Sequence, residues 1–380
     1  MKKDHFLNSF EANKVSAISG RYFPYAVLEN FLKTLPNKFT LKPIGKSVLN
    51  RNIYTVEIGK GPTRILLWSQ MHGNESTTTK AILDLIRFLE DSDDDYVKRL
   101  LSRCRLRIIP VLNPDGAEAY TRYNARQIDL NRDALAETQP EIKVLKNEAR
   151  DFRPDFCFNL HDQRSIFGVG NTDRPATLSF LSPAFNENRD INRSRKVAMQ
   201  LIAGINDELQ KYIPGQIGRY DDKFNPNCIG DYFQAQNIPT LLVEAGHYPK
   251  DYQREVTRKY VFLGLCRALD LLSTQNWTAF TPSGYFKIHQ NKKSFYDIII
   301  RDVVWENNKV DMALHYEECL INKEVKFIPK IKKIQSRLPF FGHRIIDANH
   351  EKLEKISPKS IKIGEVVENI VINGKIIPIL

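Results

Sequence analysis

Three apolar runs in this chain each stop abruptly at a side chain able to hold a metal ion or a proton. Ile65-Leu66-Leu67-Trp68 leads into Ser69-Gln70-Met71-His72-Gly73-Asn74-Glu75, Phe156-Cys157-Phe158-Asn159-Leu160 stops at His161, and Thr240-Leu241-Leu242-Val243 stops at Glu244. Short apolar runs bounded by polar residues read as buried strands, and stretches of helical period lie between them. This alternation predicts a mostly parallel α/β sheet. Ligands of such sheets sit beyond the carboxyl ends of the strands. His72, a turn at Asn113, His161 and Glu244 all fall at such ends, so one rule gathers four distant segments into one crevice. His72, Glu75 and His161 make a three-ligand set for one zinc ion with a position left open for water. Glu244 is then the natural general base.

The same reading predicts a helical lead-in up to about residue 45, with apolar residues at helical spacing from Tyr25 to Leu32. Strands are expected near Tyr54–Ile58, Arg64–Ser69 and Arg105–Leu112. Ser76-Thr77-Thr78-Thr79 is expected to cap a helix whose apolar face is Ile82, Leu83, Leu85, Ile86 and Leu89. Asn113-Pro114-Asp115-Gly116 reads as a turn. Residues 162–195 read mainly as loop, Lys196–Tyr212 and Gln253–Leu272 as helices. From about residue 280 the chain carries short β-prone runs, and Asn373-Gly374 has the composition of a hairpin turn. The expected domains are therefore the lead-in (1–45), an α/β domain (46–275) and a small β-rich C-terminal domain (280–380).

Of 380 residues 42% are hydrophobic, which suffices for a sizeable core, and the formal net charge is +11. The basic residues are spread without a long Lys/Arg run, which argues for a solvated basic surface, not nucleic-acid or membrane binding. The five cysteines are odd in number and scattered, as expected for free thiols in a reducing compartment. No apolar segment follows the basic N-terminus and none is long enough to span a bilayer, so a cytoplasmic location is expected.

Between the first two metal-ligand segments lies Arg122-Tyr123-Asn124-Ala125-Arg126-Gln127-Ile128-Asp129-Leu130-Asn131-Arg132-Asp133. Arginine presents a rigid fork of donors that fits a carboxylate. Asn131 beside Arg132 suits a substrate carboxylate, and Arg122 or Arg126 suits a developing oxyanion. Glu244 at the end of a buried strand needs a partner or a raised pKa, and a raised pKa suits a general base.

Taken together, HGNE (His72–Glu75), NPDG (Asn113–Gly116), RYNARQIDLNRD (Arg122–Asp133), LHD (Leu160–Asp162) and LLVEAG (Leu241–Gly246) resemble the M14 family of zinc carboxypeptidases, in order and approximate spacing, over about residues 45–272. The resemblance implies a doubly wound α/β/α sandwich around a mixed, mainly parallel sheet. It implies one zinc ion on His72, Glu75 and His161, with Asp129 hydrogen-bonded to the far nitrogen of His72. It implies that Arg122 stabilises the oxyanion, that Asn131 and Arg132 bind the free C-terminal carboxylate of a peptide, and that Glu244 activates the hydrolytic water. Tyr220 is the nearest match to the family's mobile tyrosine, and Asp222, Cys228, Ile229 and Asp231 are possible floor residues of its side-chain pocket. The resemblance does not reach the C-terminal β-rich region. A second reading is a zinc deacylase of N-acyl amino acids, similar to the aspartoacylase and succinylglutamate desuccinylase group, which shares an H-x-x-E pair and a DLNR clamp.

Overall fold

The computed structural model describes residues 4–358 and 361–379, so the first three residues of the lead-in and the terminal Leu380 lie outside it. The chain divides into two compact units. One holds the chain through Gln163 together with Ala176–Asn291; the other holds Arg164–Pro175 and the chain from Lys292 onward.

The first unit is built on β1 (Thr40–Lys46), β2 (Asn52–Ile58), β3 (Thr63–Ser69), β4 (Cys104–Ile109) and β5 (Phe156–Asp162). After β6 (Phe167–Val169), which belongs to the second unit, it adds β7 (Leu178–Leu181), β8 (Ile217–Arg219) and β9 (Thr240–Ala245). These eight strands form one sheet in the order β1-β2-β4-β3-β5-β9-β7-β8. Its centre, β4-β3-β5-β9, is parallel, and antiparallel pairings join β2 to β4 and β9 to β7. β3 and β5 at its middle are buried on both faces, which explains their continuous apolar runs. Successive residues of β5 face opposite ways. Phe158 and Leu160 enter a core shared with the helices Thr77–Phe88, Arg193–Leu209 and Glu255–Thr274, whereas Cys157 enters a core with the helices Pro140–Phe152 and Ile229–Ala235. The lead-in helices His5–Asn13 and Tyr25–Leu32 add Phe6, Phe10, Leu28 and Phe31 to the first core.

A buried ion pair fastens the connection between those two helices. Arg258 and Asp84 have fully buried side chains, and both guanidinium–carboxylate contacts are 2.6 Å. Arg258 also donates to the carbonyls of Ile18 (2.5 Å) and Val15 (3.2 Å), and Asp84 accepts from the Val15 N–H (2.8 Å).

Two local expectations differ from the structure. Asn113-Pro114-Asp115-Gly116 opens a short helix, Pro114–Ala119, because Asn113 accepts the Gly116 N–H (2.9 Å) as N-cap and Pro114 is pre-set for the first helical position. The helix Thr77–Phe88 is capped by Asp162, which accepts the N–H groups of Thr77 (2.9 Å) and Thr78 (3.2 Å), and not by Ser76.

In the second unit, β10 (Asn291–Lys293) pairs with β6. β11 (Phe295–Trp305), β12 (Asn308–Ile321), β13 (Glu324–Gln335) and β14 (Phe341–Asp347) form a four-stranded sheet in the order β13-β12-β11-β14. β15 (Leu353–Pro358), β16 (Val367–Ile372) and β17 (Lys375–Pro378) form a three-stranded one. Asn373 and Gly374 join β16 to β17 with φ of 47° and 67°, the positive pair a tight hairpin requires.

Candidate active site

The first strand end is shaped by close backbone approach. After β3 the chain turns at Gln70 (φ 49°) and brings Gly73 against Gly116. A Cβ on Gly73 would lie 1.9 Å from the Gly116 carbonyl carbon, so the HGNE and NPDG segments fit together only with glycine there. Asn113 ties the same two segments, donating to the Met71 carbonyl (3.1 Å). The result aims His72 and Glu75 toward β5.

There they meet His161. His72 Nδ1 lies 2.8 Å from Glu75 Oε1, His161 Nδ1 lies 2.9 Å from Glu75 Oε2, and the two Nδ1 atoms are 3.2 Å apart. Ligands at about 2.0–2.1 Å around a tetrahedral zinc would stand roughly 3.3 Å from one another. The three donors converge at close to that spacing, and two imidazoles with one carboxylate are a zinc-type donor set, so the residues present fit one zinc ion. Both histidines are buried, and the Asp162 N–H holds Glu75 Oε2 at 3.1 Å.

Asp129 Oδ1 stands 3.0 Å from His72 Nε2. The Asn131 N–H donates to that oxygen (2.9 Å), and Arg122 grips the other with Nε (3.1 Å) and Nη2 (3.0 Å). Arg122 Nη1 reaches toward Glu75 Oε1 (3.4 Å) while its side chain stays 38% exposed. Arg126, the alternative to Arg122, is exposed on a turn that Asn124 organises by accepting the N–H groups of Arg126 and Ile128.

Charge sets the protonation states. Burial raises the Glu75 carboxyl, but His72 and His161 pull it the other way and hold it well below the usual carboxylate range. Asp129 is likewise lowered: burial raises it, and His72 and Arg122 outweigh that. His161 is lowered by burial, which favours the neutral imidazole a metal needs. Glu244, in register with His161 on β9, is pushed well above its ordinary value by burial, with the Glu75 and Asp162 carboxylates adding repulsion. Tyr220, just after β8, is raised chiefly by burial, with the Glu244 and Glu75 carboxylates adding to it.

Asn131 and Arg132 form a short 3-10 turn beside Asp129. Asn131 Oδ1 accepts the Ile229 N–H (3.0 Å), and Arg132 Nη1 lies 3.0 Å from Cys228 Sγ. Of the floor candidates, Cys228, Ile229 and Asp231 belong to this neighbourhood. Asp222 is held by a short ion pair to the buried Arg195 and a 3.6 Å contact to Arg189. Asp162 and Asn124 are the supporting residues the sequence reading passed over; His161-Asp162 was the only signal for the first. His247 is buried and lies against Tyr252, with ring centroids 4.6 Å apart.

Comparison with known proteins agrees with this architecture. The zinc carboxypeptidase (Peptidase_M14) family model matches residues 25–168. The chain is 31% identical over 140 residues to carboxypeptidase M of Mus musculus, covering 31% of this chain and 32% of that protein. It is 35% identical over 256 residues to carboxypeptidase D of Anas platyrhynchos, covering 59% of this chain and 18% of that protein. The matched stretches thus span about a third or less of these relatives' own length. A solved structure of a putative carboxypeptidase A from Shewanella denitrificans shares the fold with a TM-score of 0.55 at 16% identity, covering 67% of this chain and 70% of the other. A metallo-carboxypeptidase from Burkholderia cenocepacia does so with a TM-score of 0.53 at 17% identity, covering 68% and 70%. Residues 25–168 are therefore similar to the M14 family of zinc carboxypeptidases, and the solved neighbours share the fold.

Proposed function

We propose that this protein is a zinc-dependent metallocarboxypeptidase that hydrolyses the C-terminal amide bond of peptides. The observation that carries the reading is the convergence of His72, Glu75 and His161 within a 4.8 Å group, with Glu244 in register on the next strand. Zinc held there would supply Lewis acidity toward water and the scissile carbonyl. Glu244 takes a proton from the attacking water and returns it to the leaving amine nitrogen. Its raised proton affinity suits that shuttle. The half-exposed Arg122 faces the negative charge that develops on the carbonyl oxygen. Asn131, with Oδ1 anchored on the Ile229 N–H, has its Nδ2 group left to donate beside Arg132. The pair binds the free C-terminal carboxylate, which restricts cleavage to the last residue and orients the bond. Asp129 fixes the His72 ring, and Tyr220 covers the substrate. No helix among the described residues is long and apolar enough to cross a membrane.

The test is mass spectrometry of products from the zinc-loaded protein given free-acid peptides, their C-terminally amidated counterparts and N-acyl amino acids. Release of single C-terminal residues from the free acids alone is expected. Cleavage of the N-acyl amino acids alone would replace this reading with the deacylase one.

A further inference from the structure

Asn159 lies two residues before His161 on β5 and therefore faces the same way, roughly 7 Å further back along the strand. It is fully buried, yet neither its Oδ1 nor its Nδ2 has a hydrogen-bond partner among the described residues. Its neighbour across the ladder is Trp68, whose buried Nε1 also lacks one. Buried polar groups are normally paired, and a carboxamide left unpaired in an apolar core is costly. Such a group is explained if a ligand satisfies it.

The surroundings indicate which ligand. The first turn of the helix Ile229–Ala235 passes over Asn159 at Gly230. A Cβ on Gly230 would stand in ordinary contact with Asn159 Nδ2 (3.6 Å) and tightly against Pro183 Cγ (3.2 Å), so Gly230 packs directly over the amide. The same turn is fastened to the proposed carboxylate clamp, through Ile229 to Asn131 and through Cys228 to Arg132. A terminal residue held by that clamp reaches Asn159 only if its side chain runs back along the β5 face that His161 and Asn159 share. Of the nearby acids Asp222 is held by Arg195 and Arg189, and Asp231 accepts the Asn225 N–H (3.3 Å) on one oxygen. Asn159 itself offers one neutral donor and one neutral acceptor on the same planar group.

We infer that Asn159 makes this enzyme selective for a C-terminal side chain bearing a carboxamide, glutamine or asparagine, paired with the Asn159 amide through reciprocal N–H···O hydrogen bonds. The inference rests on the metallocarboxypeptidase reading and assigns its released residue.

The experiment measures kcat/KM for matched peptides ending in Gln, Asn, Leu, Lys and Glu with wild type, Asn159→Leu and Gly230→Ala, alongside calorimetric binding of free glutamine and free leucine. Wild type should favour the amide endings over Leu by about tenfold or more. Asn159→Leu should reverse that ranking with zinc content unchanged, and Gly230→Ala should reduce Gln turnover by about tenfold as its methyl crowds the approach to Asn159. Free glutamine should bind wild type more tightly than free leucine and lose that advantage in Asn159→Leu. A wild type that favours Leu, Lys or Glu, or an Asn159→Leu ranking like that of wild type, overturns the inference. If no peptide is cleaved, the metallocarboxypeptidase reading fails, and the glutamine-to-leucine binding ratio still decides the chemistry at Asn159.

Discussion

Replacing Asp129 isolates the contribution of the residue behind His72. Its Oδ1 orients the imidazole from 3.0 Å, and its Oδ2 holds Arg122 at 3.0–3.1 Å. Asp129→Ala removes both anchors, leaving His72 Nε2 without its acceptor and Arg122 with only the 3.4 Å contact to Glu75. Loss of such an outer partner weakens metal binding about 10–100-fold. That is about 1.4–2.7 kcal/mol. Asp129→Asn keeps the shape and one acceptor oxygen but gives up the charge. Charge-assisted hydrogen bonds are roughly twice as strong as neutral ones, so Asn should lose about half the free energy, roughly three- to tenfold in affinity. The assay is competition for zinc against a chromophoric chelator at neutral pH, with thermal melting of the metal-free proteins as the control for folding. Wild-type zinc affinity in both variants, or weaker binding in Asn than in Ala, would refute the reasoning.

Three further outcomes follow from other parts of the chain. Asp84→Ala removes the fully buried carboxylate partner of Arg258, leaving it the 3.3 Å contact to Glu255, and should destabilise the protein by about 3–5 kcal/mol, whereas the double variant Asp84→Leu/Arg258→Met recovers most of that loss; denaturant unfolding of the three proteins checks it. Lys80 is fully buried, and burial lowers its ammonium to about 8, so the folded state releases its proton before the unfolded chain does. Stability should therefore gain up to about 3 kcal/mol from this residue as pH rises from about 8 toward the ordinary lysine range, and Lys80→Met, compared with wild type by urea melts along a pH series, should lack that gain. Arg132→Ala should raise KM for free-acid peptides about tenfold or more and leave zinc content unchanged, read by steady-state kinetics and metal analysis.

Much of the central sheet was legible because buried strands write continuous apolar runs, and β3, β5 and β9 each end just past the point where the run breaks. The candidate site was legible for the same reason: strand ends on one sheet edge are neighbours in space. Residue type and spacing left Arg122 and Arg126 open and only the family resemblance singled out Arg122, which is the one that grips Asp129. Asp162 was hidden because its helix-capping role depends on groups 84 and 85 residues away. Asp222 resembled a pocket acid until the fold brought buried Arg195 against it. The division into units was obscured by residues 164–175, which leave one compact unit to pair, through β6, with a strand more than a hundred residues later.

The central claim is that one zinc on His72, Glu75 and His161 works with Glu244 to cleave a C-terminal amide. Zinc stoichiometry and peptide turnover measured on the same preparations of wild type and Glu244→Gln test it most directly. One zinc per chain in both proteins, with turnover lost in the variant alone, is predicted. Undiminished turnover in Glu244→Gln, or zinc bound at full stoichiometry in the absence of any hydrolysis by wild type, would contradict it.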